Sequence, residues 1–129
     1  MSASSVLSIV GREHEPAAID QDHLDRMTLG DRLLECEVLK IFVRQVAMLL
    51  ERIAGEDRAL AAASAHTLLG SARGIGAWRV ARAAEWVEHV ANRRTDAIAL
   101  AQAVAELKAA SIEVSAAVNM RLVEVARDH

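Results

Sequence analysis

Apolar residues recur every three to four positions along most of the chain, and the breaks in that rhythm divide it into one short helix and several long ones. Asp20 is placed to cap a short helix reaching Met27, anchored by Ile19 and Leu24. Gly30-Asp31 then ends it and offers a fresh N-cap. From Arg32 to Ile53 the apolar positions Leu34, Val38, Ile41, Phe42, Met48, Leu49 and Ile53 form a broad face, which Gly55 closes. Glu56 and Asp57 favour the next helix start electrostatically, and that helix is predicted to run to about Arg73, where Gly74-Ile-Gly76 makes a tight corner. Residues 77–92 resume with Trp78, Ala81, Ala84 and Val87 or Val90 inward and end near Asn92-Arg-Arg94. Thr95-Asp96 caps a last, long helix reaching about Arg127, with Leu100, Val104, Leu107, Val114 and Val118 inward. Residues 1–18 show no sustained period, begin rich in serine and contain Pro16; they read as a flexible arm ahead of a folded unit over 19–129. Short turns between substantial helices imply an all-α, antiparallel up-down four-helix bundle, with the short first helix covering one end.

Composition agrees with helices. Hydrophobic residues make up 53% of the chain, alanine prominent among them, aromatics contribute only 2%, and Pro16 is the sole proline. A length of 129 residues suits one domain with a sizeable core. The net charge is −3 and basic residues are scattered among acidic ones, which argues against a nucleic-acid partner. Trp78, Trp86 and Phe42 are too few to stack bases. The run Val6-Leu-Ser-Ile-Val10 is too short to span a membrane and lacks the flanks of a signal peptide, so a cytoplasmic protein with no membrane partner is expected. Cys36, the lone cysteine, cannot form an internal disulfide and reads as a packing residue in a reducing compartment.

The stretch Ala65-His-Thr-Leu-Leu-Gly-Ser-Ala-Arg-Gly-Ile-Gly-Ala-Trp78 carries the candidate chemistry. Its glycine order, Gly70-x-x-x-Gly74-x-Gly76, matches neither a P-loop nor a dinucleotide turn, and no strand precedes it, so a helix runs through Gly70. On a helical wheel with Leu68 inward, Ala61, Ser64, Ala65, Ala72 and Ile75 share the buried stripe, while His66 lies roughly 160° away. Its companions on the outer side are Ala59, Ala62, Ala63, Leu69, Gly70 and Arg73. Helical side chains lean toward the N-terminus, so a side chain four residues after His66 would partly cover the imidazole. That position is Gly70, and Arg73 is expected to reach back toward the same spot with its cationic head. A mid-helix glycine can equally mark a close helix contact, and most surface histidines have no function.

This stretch resembles the core motif of histidine-containing phosphotransfer (HPt) domains, Ala-His-x-Leu-Lys-Gly-Ser-Ser/Ala followed by a short turn and another helix. Ile19-Asp20 to Leu24, Leu29-Gly-Asp31, Leu39 to Phe42 and Ala81 to Glu88 extend the likeness, which spans about residues 18 to 125. The resemblance implies a four-helix bundle in which His66 accepts a phosphoryl group from the aspartate of a receiver domain and passes it to another receiver. Implied partners are a response-regulator receiver domain, a hybrid sensor histidine kinase, or both. One position departs from the pattern: lysine usually precedes the glycine and balances phosphoryl charge, whereas this chain has Leu69. Arg73 is read as a partial substitute, and Leu69, with Ala59, Ala62, Ala63 and Gly70, as the receiver-docking face.

Neutral imidazole is nucleophilic near physiological pH, and Nε2 is the outer nitrogen. In-line approach and charge neutralisation are what phosphoryl transfer demands, and this chain shows no Mg²⁺ cluster, nucleotide loop or paired carboxylates beside His66. No intrinsic cofactor is therefore expected, Mg²⁺ is expected on the partner receiver, and the chain reads as a monomeric phosphoryl carrier and not an autonomous kinase. Three other readings remain. The first is a bundle that binds receivers or other signalling proteins without phosphorylation, which Leu69 favours. The second is a dimerising kinase phosphoacceptor helix pair, disfavoured by Thr67 after the histidine and by the missing ATP-binding domain. The third is a metal site on Glu85 and His89, for which no third ligand is fixed nearby. His14, His23 and His129 carry no constellation, and Trp78 and Trp86 read as packing or rim residues.

Overall fold

The computed structural model describes residues 17–55, 57–93 and 96–128. Within them the chain is all-helical: α1 (Gln21–Thr28), α2 (Arg32–Ile53), α3 (Arg58–Ile75), α4 (Trp78–Asn92) and α5 (Ala97–Arg127). The arm expected over the first residues lies, up to residue 16, outside the described residues, as do Glu56, Arg94 and Thr95. Aspartates start four of the helices. Asp20, Asp31, Asp57 and Asp96 each accept a backbone N–H from the first turn, satisfying donors that have no partner inside the helix. α3 runs two residues past its expected end because the glycine that stops it is Gly76, left-handed at φ 84°, and not Gly74.

α2 packs on α3 and α5, α4 packs on α3 and α5, and α1 lies across α2 and α3. The core is a run of aliphatic residues and alanines with Phe42 as its one aromatic. On α2 the buried stripe is Glu35, Leu39, Phe42, Val46, Leu49 and Ile53, so the expected inward face is rotated: Leu34, Ile41 and Met48 are exposed. The rotation has a polar cause. Glu35 interrupts the apolar pattern in sequence, yet its side chain is fully buried.

Glu35 is held by a fork of two bonds from Arg121 on α5, Nε to Oε2 at 2.6 Å and Nη2 to Oε1 at 3.2 Å. Arg32 donates to it at 2.8 Å and Gln21 of α1 at 3.2 Å. Arg32 also bonds Asp25, so one carboxylate cluster ties α1, the start of α2 and the end of α5 together. Burial by itself pushes the Glu35 carboxyl up, and the hydrogen bonds from Arg121, Arg32 and Gln21 overcome this and hold it down to about 2.

A second clasp fixes the α3–α4 corner. Asp20 donates its backbone N–H to the Gly76 carbonyl at 2.9 Å and accepts the Trp78 indole N–H at 3.0 Å. His23 reaches the Gly74 carbonyl at 3.2 Å and meets Trp78 edge to face at 4.9 Å. His23, which the sequence left without partners, is thus part of this clasp. Gly76 is required twice over, by its positive φ and because a Cβ there would lie 3.1 Å from both Asp20 Cβ and His23 Cδ2.

The Glu35 cluster sets an acid limit. A carboxyl with a depressed folded value stabilises fully above its ordinary value near 4.5 and loses that contribution as pH falls toward 2. Urea midpoints are expected to fall steeply across this window, the Glu35 share amounting to roughly 3 kcal/mol. Glu35→Gln should be less stable at neutral pH and show a flatter acid limb; an unchanged limb would remove Glu35 from acid unfolding.

Candidate functional site

His66 projects from the middle of α3, one turn after the fully buried Ala61 side and adjacent in sequence to the buried Ala65, and its side chain is 70% exposed. Ala59, Ala63, Thr67, Gly70 and Arg73 are exposed around it. Two residues expected on this face are not there: Ala62 and Leu69 are only 7% and 6% accessible. On the wheel both sit at the flanks of α3, roughly 100–120° from Leu68. Both lie on the one flank turned toward α4, whose Glu85 and Glu88 reach Arg73 and His66; that flank is closed, while the opposite one, with Leu60 and Thr67, stays exposed. Leu69 therefore belongs to the core and offers no surface for docking.

Gly70 is open on its outer side. A Cβ built there would meet nothing within 4 Å, so no neighbouring helix demands the glycine, and the close-contact explanation is excluded. The imidazole stands uncovered from the following turn.

The second wall of the site comes from α4, and the sequence reading missed it. Glu88 Oε2 lies 2.9 Å from His66 Nδ1. A carboxylate this close to Nδ1 favours a proton on that nitrogen, which leaves the lone pair on Nε2. One helical turn earlier, Glu85 pairs with Arg73 Nη2 at 2.8 Å, so Arg73 faces α4 and not the imidazole. Both partners of that pair are more than half exposed, so it contributes little and opens at little cost. The signal that could have found Glu88 was the tight α3–α4 corner: with Gly76 as the pivot, His66 ten residues before it and Glu88 twelve after it come opposite each other across the helix pair. His89 stacks on Trp86 at 5.4 Å and contacts Arg93, while Glu85 is engaged by Arg73, so each has a partner other than the one the metal alternative would give it. No group of three candidate metal ligands occurs among the described residues. Cys36 is half-buried on α2; His14 and His129 lie outside the described residues.

The site is thus an exposed imidazole with one nitrogen against a carboxylate, and a guanidinium further along α3 held by a second carboxylate of α4. The sequence profile of the Hpt domain matches residues 37–118, well over half the chain and including the whole of α3 and α4. The protein belongs to the Hpt domain family, and membership places it in phosphorelay signalling. A comparison with curated proteins finds no match. Among solved structures the fold is similar to the crystal structure of a rice protein assigned as a histidine-containing phosphotransfer protein, with a TM-score of 0.70 over 96% of this chain and 91% of the rice chain. At 14% identity that likeness speaks for the fold and not for individual residues. No helix among the described residues is long and apolar enough to cross a membrane.

An unobstructed Gly70 has a measurable consequence. Gly70→Ala is expected to raise the unfolding free energy by up to about 1 kcal/mol, because alanine favours a helix interior and its methyl meets only water. A lowered urea midpoint would show that the backbone there needs glycine for a reason internal to the fold.

Proposed function

We propose that the protein carries a phosphoryl group on His66 between receiver domains, and the observation that carries this reading is the 2.9 Å contact from Nδ1 to Glu88 beneath an exposed Nε2. The Nε2 lone pair attacks the phosphorus of a receiver's aspartyl phosphate in line. The N–P bond forms as the P–O bond to the aspartate breaks, and the carboxylate leaves with its electron pair. Nδ1 keeps its proton throughout, so the product ring is cationic and Glu88 supplies the adjacent negative charge. The reverse sequence, with a second receiver's aspartate as nucleophile, discharges the carrier.

Arg73 serves the moving phosphoryl group in this reading. It sits two turns beyond His66, about 10 Å along the axis, and a long side chain leaning toward the helix N-terminus covers that gap once Glu85 lets go. Mg²⁺ is proposed to sit in the receiver's acidic pocket. Ala59, Ala63 and Gly70 form the flat rim on which a receiver docks, their small side chains leaving room for approach.

We also read the long helices as an antiparallel up-down bundle closed at one end by α1. What supports it is the grouping of ends: Glu35 near the start of α2 meets Arg121 near the end of α5, and Asp20 meets the end of α3 and the start of α4. At the other end Arg58 of α3 donates to the Asp96 carbonyl at the start of α5.

A second reading, an adaptor that binds receivers without accepting phosphate, is favoured by one observation: with Leu69 buried and Arg73 on Glu85, neither of these positions brings a cation to the imidazole. One experiment separates the two. Incubated with a phosphorylated receiver and Mg²⁺, the protein is expected to gain acid-labile, base-stable phosphate, and His66→Gln to gain none while keeping its helicity. Glu88→Gln should slow uptake about tenfold, consistent with the loss of a charge-assisted hydrogen bond, and Arg73→Ala should slow it several-fold. Receiver binding without any label would establish the adaptor; unchanged kinetics in Arg73→Ala would remove that residue from the mechanism.

A further inference from the structure

The outer face of α5 carries an apolar stripe that the bundle does not use. Between residues 98 and 123 it follows a strict alternation of four- and three-residue steps, the 3.5-residue period of a helix that packs against another helix along its length. Every position of the stripe is exposed, Ile98 and Ile112 by 70% and 71%, and none is charged. A run of this length on a helix already committed inward through Leu107, Val114 and Val118 is more than scattered surface hydrophobicity.

The order of residues along the stripe identifies its occupant. Reflected about a point between Ala109 and Ile112, it matches itself in kind at three of four pairs: Ile98 falls opposite Val123, Gln102 opposite Asn119 and Ala105 opposite Ala116, while at the centre the small Ala109 falls opposite Ile112. A two-fold axis perpendicular to the helix performs this reflection when a second copy lies antiparallel on the first. The two polar members, Gln102 and Asn119, then meet each other twice, and their amides satisfy one another at the interface. A foreign apolar helix would leave each amide facing hydrocarbon. A parallel second copy would set Gln102 against Gln102 and Asn119 against Asn119, and would lose the meeting of Ala109 with Ile112 at the centre of the pair. Alanines at 105, 109 and 116 let the two axes approach closely.

We infer that two copies of this chain associate through the outer face of α5, in an antiparallel, two-fold arrangement centred between Ala109 and Ile112. This departs from the monomer expected from sequence. Of the flanking charges, Glu113 pairs with Arg79 of its own copy, Glu106 lines a groove with Arg82, and Lys108 lies exposed on the opposite flank. At 1.5 Å per residue the stripe is about 38 Å long, and a strip about 10–15 Å wide buries roughly 400–600 Å² per copy, below the usual 800 Å² of a stable interface. The dimer is accordingly weak and concentration-dependent. α3 and α5 do not touch as helices, so they sit diagonally in the bundle and association through α5 leaves His66 open.

Sedimentation equilibrium from about 5 µM to about 1 mM tests this, the range bracketing a dissociation constant of about 10–500 µM. The weight-average mass is expected to rise from 13.9 kDa toward twice that value. Ala109→Glu, a surface change that leaves helicity intact by circular dichroism, should stay monomeric throughout. The double variant Gln102→Lys with Asn119→Glu should dimerise at least as tightly as the parent, because the introduced lysine of one copy meets the introduced glutamate of the other only in the antiparallel register. Phosphoryl uptake from a phosphorylated receiver should be unchanged in Ala109→Glu. A parent that stays monomeric at the top of the range assigns the stripe to another protein's helix and overturns the inference. Dimers that survive Ala109→Glu, loss of the dimer in the double variant, or lost uptake in Ala109→Glu overturn it equally.

Discussion

The close seam between α3 and α4 is the constraint on which the site depends. These two helices make the most extensive contact in the fold, and the buried positions they bring to the core are mostly small: Ala61, Ala65 and Ala72 on α3, Ala81, Ala84 and Ala91 on α4. Alanines lower the separation at which two helices can pack. Only at short separation can a glutamate on one helix hold the ring of a histidine on the other at 2.9 Å, and only then does the same geometry pair Arg73 with Glu85 one turn away. Leu69 and Ala62, on the flank turned toward α4, are buried, so that edge of the wet face of α3 runs along His66, Gly70 and Arg73. Packing and chemistry are thus set by the same small residues.

The ends of the helices carry a different load. α1 is too short to be stable alone, and it is retained by polar contacts at the mouth of the bundle. Gln21 and Asp25 enter the Glu35 cluster, and Asp20 and His23 grip the α3–α4 corner at Gly76 and Trp78. Breaking one member of the buried Glu35 cluster leaves an uncompensated charge, so this end resists piecemeal change. The imidazole lies mid-helix, away from these contacts.

Much of the fold was legible because helix signals are local. Aspartate caps, the glycines after Ile53 and Ile75, and the apolar period placed all five helices to within about two residues, the usual uncertainty of helix ends. Facing was less legible where a polar residue is buried or an apolar one is not. Glu35 could not be read as core without knowing that Arg121, far along the chain, would come to meet it, and with Glu35 misplaced the stripe of α2 was turned toward Leu34 and Ile41. The outward direction of His66 followed from the wheel alone; the burial of Leu69 did not, since a flank position depends on how closely two neighbours crowd it. Glu88 was harder to read than a same-helix partner because it meets His66 across the α3–α4 corner, by tertiary contact and not by spacing along one helix.

The central claim is that Glu88 keeps the proton on Nδ1 of His66 and so presents Nε2 to the incoming phosphorus. Long-range ¹H–¹⁵N correlation spectra of ¹⁵N-histidine protein, recorded above the imidazole's titration and again after phosphorylation, read this directly. The account requires the Nδ1–H tautomer in the free protein and ³¹P coupling to Nε2 in the charged one. A proton on Nε2 at rest, or phosphorus coupled to Nδ1, would contradict it.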